Sequence, residues 1–317
     1  ELCQQLNVPL IATFHPAFDS GIRNLTASTQ QLTYQLYAPS LAKFDRVIVF
    51  SETQAEVLAK LGVKENRLNI IPNGIDQELW LPENPPDKKH LQLEIRNRLG
   101  SDRIFLYMGR IASEKNVEAL LRAWRLVDRK GCRLVIVGDG PLRPTLENNS
   151  ISNNDRDVFW WGYESDQDTR IALLQCAEVF LLPSLVEGLS LALLEAMSTA
   201  TACVATDAGA DGEVLENGAG IVISTEGVTS QLKTLLPVLK DQPLLTSELG
   251  RRARLRVLER YTLKQNIDSL EALYDDLLGT SRMKKSITPI HDFFLRQPQQ
   301  PQSKQIARLP SQDSEER

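Results

Sequence analysis

Nine short apolar runs constrain this 317-residue chain more than any other feature, at residues 8–14, 46–50, 68–71, 104–109, 133–138, 158–161, 178–183, 202–206 and 220–223. Most are nearly continuous rather than alternating, the pattern of strands covered on both faces of a parallel sheet. Amphipathic stretches at 117–129, 167–176 and 189–199 lie between them. Strands that alternate with helices in this way predict an α/β fold with parallel sheets. Ser51 with Gln54 has the spacing of a capping box, and Gly62 fits the stop of the same helix. Thr262 with Gln265 fits a second box before a helix over 263–278.

The length suits about two domains. Residues 77–103, rich in Pro, Asn and charge, read as a linker whose 89–99 portion can form a helix. This gives a partial domain over 1–76, a longer one over 104–262, a crossover helix over 263–279 and a polar, disordered tail over 280–317. Net charge is −5, which argues against a nucleic-acid partner. Cys3, Cys132, Cys176 and Cys203 form no Cys-x-x-Cys pair and read as reduced thiols of a cytoplasmic protein. The three histidines are scattered, so no metal site is expected, and no apolar run is long enough to span a membrane. Residues 282–295 mix basic and apolar side chains as a peripheral membrane segment does, but Pro289 interrupts a helix there. The chain opens without Met, in what reads as the end of a helix, so the expectation is that an N-terminal portion is missing.

Three motifs carry chemistry. Residues 183–197, PSLVEGLSLALLEAM, run from a strand through a loop into a helix. Glu187 near the helix start and Glu195 eight positions on suit two hydroxylated rings of one extended ligand. The N–H groups of Leu189, Ser190 and Leu191 between them suit a phosphate. The plainer alternative is a helix-start charge and a solvent-facing carboxylate. In residues 107–124, a strand ends at Gly109, and Arg110 and Lys115 flank the loop that opens the next helix. Two cations there would hold a diphosphate and neutralise it as it leaves, unless they are merely solvated. Pro72-Asn73-Gly74 is a tight turn after a strand, and Val137-Gly138-Asp139-Gly140-Pro141 is a similar signal whose small residues would let a ligand approach.

In this order, these pieces resemble glycosyltransferase family 4 on the GT-B fold, over residues 8–278. The resemblance implies two Rossmann-like domains, the N-terminal one incomplete here. It implies a retaining hexosyltransferase that uses a UDP-, GDP- or ADP-sugar without a cofactor or metal, and a glycan, lipid or small-molecule acceptor. It assigns Arg110 and Lys115 to the donor diphosphate, Glu187 to the donor sugar and Glu195 to the ribose. Gly109, Gly138, Gly188, Leu189, Ser190 and Leu191 would line the donor, with Gly162 and Tyr163 near the base. His15 would face the sugar across the cleft, or be structural. Many members glycosylate lipids, which would place a cytoplasmic enzyme in peripheral contact with the inner membrane face. Leu189 and Ser190 stand where the family has Phe and Gly, and Ala210-Asp211 follows Gly209 where a second Gly is usual. The family's first strand and glycine loop are absent, so the alternative is a non-catalytic fragment that binds nucleotide sugar. A dinucleotide oxidoreductase does not fit, because residues 137–144 lack the third glycine of G-x-G-x-x-G and carry Pro144.

Overall fold

The computed structural model describes residues 6, 8–15, 27–101 and 103–279. Cys3, His291 and the segment 282–295 lie outside the described residues. All nine strands form, each within three residues of its expected bounds: β1 (Ile11–Thr13), β2 (Arg46–Val49), β3 (Leu68–Ile70), β4 (Arg103–Met108), β5 (Cys132–Val137), β6 (Val158–Gly162), β7 (Val179–Leu182), β8 (Ala202–Thr206) and β9 (Ile221–Ile223). They make a three-stranded sheet, order β1-β2-β3, and a six-stranded sheet, order β6-β5-β4-β7-β8-β9. Every pairing is parallel. Ile104, Phe105, Leu106 and Tyr107 of β4 are all fully buried, which is why that run shows no alternation.

The helices flanking β2 are α1 (Ala27–Leu41) and α2 (Glu52–Lys60), the larger sheet carries α3 (Lys89–Leu99), α4 (Val117–Arg125), α5 (Arg143–Ser152), α6 (Gln167–Cys176), α7 (Leu191–Ser198), the short α8 (Asp211–Val214), α9 (Val228–Asp241) and α10 (Pro243–Arg260), and α11 (Leu263–Leu278) follows them. Helix α4 stops short of the expected 129: Asp128 accepts from the Lys130 N–H, a local turn that competes with helix. Ser51 caps α2 by accepting from the Gln54 N–H, but the Gln54 side chain accepts from Phe50 rather than Ser51, so the box does not close. The Thr262–Gln265 box closes completely.

The segment 77–103 is tied to the larger sheet. Ile95 and Leu99 of α3 are buried in its core, and Gln92 bonds Gln175 on α6 at 2.7 Å. Arg254 on α10 donates to the carbonyls of Gln77, Trp80 and Ser198 at 2.8–2.9 Å, and to the Ser198 hydroxyl. Past α10 the chain pairs Ile75 with Thr262, and α11 crosses to the small sheet, where Leu273 packs on Ile48 and Ile71. Among the described residues no helix is long and apolar enough to cross a membrane.

Replacing Arg254 with Ala removes a charged donor from three carbonyls, of which that of Trp80 keeps the Ser198 hydroxyl as a second donor. Hydrogen bonds of this kind contribute about 1.5–3 kcal/mol each in favourable cases, and a loss of about 2–4 kcal/mol is expected once water reaches the exposed part. Chemical denaturation checks this; an unchanged midpoint would mean the clamp carries no stability.

Candidate donor site at the sheet switch point

The order of the large sheet sets the place. From β4 the chain moves outward through β5 to β6, then returns across β4 to β7 and continues to β9. Loops leaving β4 and β7 therefore diverge, and open α/β sheets form their ligand crevice at that reversal, outside the carboxyl ends of the strands. Lys115 comes from the loop after β4 and Glu187 from the loop after β7. Their side chains meet there, Nζ to Oε1 at 2.5 Å, with Glu187 nearly buried and Lys115 partly so. The Ser184 hydroxyl donates to the same oxygen at 2.7 Å. The two loops are also joined through backbone, Leu185 N–H to the Glu114 carbonyl.

Glu187 lies in the loop, three residues ahead of the Ser190 cap, so it is not a first-turn residue of α7. Arg110 lies on the same loop as Lys115, its side chain more than half exposed and 3.9 Å from Glu114. Its carbonyl accepts from the buried Tyr107 hydroxyl, which fixes the loop. Burial, followed by the nearby Glu187 and Glu114 charges, pushes the Tyr107 phenol well above its ordinary value, so it remains a donor.

The N–H groups at the start of α7 are only partly available. Ser190 donates its own N–H to Asp211 Oδ1 at 2.8 Å and caps Leu193 through its hydroxyl, a correction to the expectation that it would serve a phosphate. Leu191, half exposed, opens the helix and its N–H precedes the intrahelical ladder. Leu189 is buried, and its carbonyl accepts from the Asn73 side chain at 3.0 Å. The Pro-Asn-Gly turn of the small domain thus braces the Glu187 loop. Gly74 is required there: a Cβ would stand 2.6 Å from the Thr262 carbonyl. Glu213 reaches the other way, accepting from the Glu52 N–H at 3.0 Å at the start of α2.

A Cβ on Gly138 would lie 1.9 Å from the Gly109 carbonyl, and one on Gly140 2.3 Å from that of Ile111. These glycines let the loops after β4 and β5 pack backbone to backbone. Gly188 accepts from the Ala210 N–H, and a Cβ on Gly209 would meet the Glu187 carbonyl at 2.1 Å. Gly162 ends β6 at φ +97°, followed by the exposed Tyr163. His15 lies at the end of β1, exposed, its ring edge-on to Phe50 at 4.6 Å; among the described residues it makes no hydrogen bond or ion pair to the Lys115–Glu187 cluster. Glu195 is buried on α7, where Arg170 Nη2 reaches both its oxygens, at 2.8 and 2.6 Å.

Asp211 was not singled out for a role from sequence, where it stood only as a departure after Gly209-Ala210. It is fully buried, and its Oδ2 has no hydrogen-bond partner. Burial first, then the charge of Glu187, raises its carboxyl well above the ordinary range, against the opposing Ser190 N–H and Lys115. An acid at a chain position with no recognisable motif gives no sequence signal; only the packing of the loop after β8 on that after β7 reveals it.

A large parallel sheet with its crevice at the reversal point, joined to a smaller parallel sheet by a returning C-terminal helix, is the GT-B arrangement. The chain belongs to the glycosyl transferases group 1, glycosyltransferase family 4: residues 102–241 match the profile described as Glycosyl transferases group 1, and residues 1–79 that described as Glycosyltransferase Family 4. It is 31% identical over 196 residues to the alpha-D-kanosaminyltransferase of Streptomyces kanamyceticus, covering 60% of this chain and 50% of that protein. Over 242 residues it is 27% identical to the UDP-Gal:alpha-D-GlcNAc-diphosphoundecaprenol alpha-1,3-galactosyltransferase of Escherichia coli, covering 74% and 60%. The chain thus spans about half to three-fifths of the length of these curated relatives. Sucrose-phosphate synthase from Thermosynechococcus elongatus superposes with a TM-score of 0.73 at 22% identity, over 88% of this chain and 70% of that one. Anabaena Alr3699/HepE in complex with UDP-glucose gives 0.70 at 17% identity, over 86% and 74%. At these identities the likeness shows the fold.

The raised carboxyl of Asp211 has a consequence for stability. Its folded-state value lies above the unfolded value of about 4, so the folded state is favoured while the group is neutral. That contribution is lost as pH rises from the unfolded value through the folded one. Asp211→Asn keeps an acceptor for Ser190 and cannot ionise. Its melting temperature is expected to exceed the parent's at neutral pH, with the gain vanishing toward about pH 4. Thermal melts across pH check this; a variant less stable than the parent by the same margin at every pH would contradict it.

Proposed function

We propose that this chain carries the donor site of a retaining glycosyltransferase that moves a hexose-type sugar from a nucleoside-diphosphate sugar to a hydroxyl of a glycan, lipid or small molecule. The observation that carries the reading is the Lys115–Glu187 pair at the reversal point, with Arg110 on the same loop as Lys115 and α7 opening after the loop that carries Glu187. Lys115 keeps further N–H donors for a phosphate oxygen after one is given to Glu187. Glu187 retains its second oxygen as an acceptor for sugar hydroxyls. Gly162 and Tyr163 are assigned to the base and Glu195 to the ribose, and His15 to the sugar's far side. That Anabaena Alr3699/HepE was crystallised with UDP-glucose and with UDP, and S. aureus TarM with UDP, supports a nucleotide-sugar donor.

In this reading the bond from the anomeric carbon to the β-phosphate oxygen breaks as the acceptor oxygen bonds the same carbon on the same face. The acceptor proton passes to the leaving phosphate, and Lys115 and Arg110 neutralise the charge that develops on the diphosphate. That is the role of fixed cations aimed at transition-state charge. The reaction is proposed to need no cofactor and no metal.

A thermal-shift screen of UDP-, GDP- and ADP-sugars identifies the donor, since a ligand at a hundred times its Kd adds about 2.7 kcal/mol of stability. With that donor, Lys115→Ala and Glu187→Ala are each expected to lower kcat/KM about 10²–10³-fold, the usual loss for one preorganised charge-stabilising group. Release of nucleoside diphosphate at parental rates by both variants would overturn the assignment.

A further inference from the structure

Asp211 is a buried acid, bonded to the loop of Glu187, to which the chemistry above gives no part. Its Oδ1 accepts the Ser190 N–H at 2.8 Å, three residues past Glu187, and its Oδ2 is buried without a partner. Two backbone contacts draw the same segments together: Ala210 N–H to the Gly188 carbonyl, and Gly209 against the Glu187 carbonyl. The turn after β8 is thus laced to residues 187–190, and Asp211 supplies the side chain in that lacing. A buried carboxylate needs donors or a cation for both oxygens. Asp211 has one neutral N–H and, among the described residues, makes no ion pair; the nearby Lys115 ammonium is bound to Glu187. The charges that face it are Glu187, from the loop after β7, and Lys115, from the loop after β4. Glu213, on its own short helix, is turned to the Glu52 N–H, with Arg256 of α10 at the Glu213 carbonyl, and Glu195 on α7 is held by Arg170.

We propose that Asp211 is a positioning residue for donor binding, which holds the Glu187 loop through the Ser190 N–H as an uncharged acid and so leaves the Lys115 ammonium to Glu187 and the donor diphosphate. The proposal rests on the reading of the Lys115–Glu187 crevice as the donor site. Burial first, and the charge of Glu187 second, favour the protonated form of Asp211. An ionised Asp211 would set a second anion near Glu187, with Lys115 the one cation facing both. A bound diphosphate brings more negative charge to the same cation. The bound state therefore favours the neutral acid more strongly than the free state does. Linkage then runs in both directions: donor binding takes up a proton, and raising the pH through the ionisation of Asp211 weakens the donor.

The test is calorimetry of UDP-glucose, GDP-mannose and ADP-glucose, whose diphosphates stay ionised throughout, binding to the parent, Asp211→Asn and Asp211→Ala from about pH 5 to about pH 9, between the ordinary carboxylate and amine ranges. For the nucleotide sugar that binds, parental affinity is expected to fall with rising pH, toward about tenfold per pH unit, the limit for one linked proton. Binding heats in buffers of different ionisation enthalpy should show the parent taking up a proton over the same range. Asp211→Asn keeps an acceptor for Ser190 and cannot ionise, so it should match the parent at the acid end and stay flat above it, with no proton taken up. Asp211→Ala should also be flat, but weaker by about tenfold throughout, because the Ser190 N–H has lost its acceptor. If Asp211→Asn does not fold, the flat profile of Asp211→Ala decides. Lys115 and Arg110 are present in all three proteins, so a fall in affinity that they cause survives in both variants. Variants whose affinity falls with pH in parallel with the parent's, or a parent that binds without taking up a proton, would overturn the inference and leave the donor reading standing. If the parent binds none of the three nucleotide sugars at any pH, the donor reading fails, and the inference with it.

Discussion

The ion pair between Lys115 and Glu187 is the constraint around which the rest of the site is arranged. It joins the two loops that a parallel sheet must send apart at its reversal point, and it does so where solvent is largely excluded. A buried pair of this kind is poor evidence for stability, because desolvation offsets most of the attraction. Its value is geometric. Ser184, the backbone bond from Leu185 to Glu114, and the packing of Gly209 against the Glu187 carbonyl all hold the pair in one arrangement before any ligand arrives. Catalytic charge stabilisation depends on such preorganisation, since groups already in place need not reorganise as charge develops.

The small domain takes part in that arrangement through backbone and short polar contacts. Asn73 braces Leu189, and Asn266 on α11 donates to the Pro72 carbonyl, so the turn itself is fastened from behind. Glu213, next to the loop after β8, places its carboxylate on the opening turn of α2, where helix N–H groups and the dipole favour an anion. These contacts and the apolar packing of Leu273 on Ile48 and Ile71 connect the sheets on both sides of the crevice.

The fold was readable because its physics is local. Strands buried on both faces leave continuous apolar runs, and all nine were found where those runs lie; Thr262 and Gln265 announced a helix start that closes as a full box. The pairing of Lys115 with Glu187 was half legible: each motif pointed to a charged loop at a strand end, and the order of the motifs resembled one family. What sequence could not supply is tertiary. The close packing of Gly138 and Gly140 on the Gly109 and Ile111 carbonyls gave no sign along the chain. Ser190 read as a phosphate donor, yet its N–H belongs to Asp211, twenty-one positions away. Arg170 lies in an ordinary amphipathic helix, with nothing in its surroundings along the chain to mark it as the partner of Glu195.

The central claim is that Lys115 and Glu187 work as one unit on the donor. A double-mutant cycle tests it most directly, with kcat/KM measured for the parent, Lys115→Ala, Glu187→Ala and the double variant on one nucleotide sugar. Residues acting as a unit are strongly non-additive. The double variant is therefore expected to lose little more than the worse single variant. Losses that simply multiply would show that the two side chains serve the donor independently, and would contradict the account.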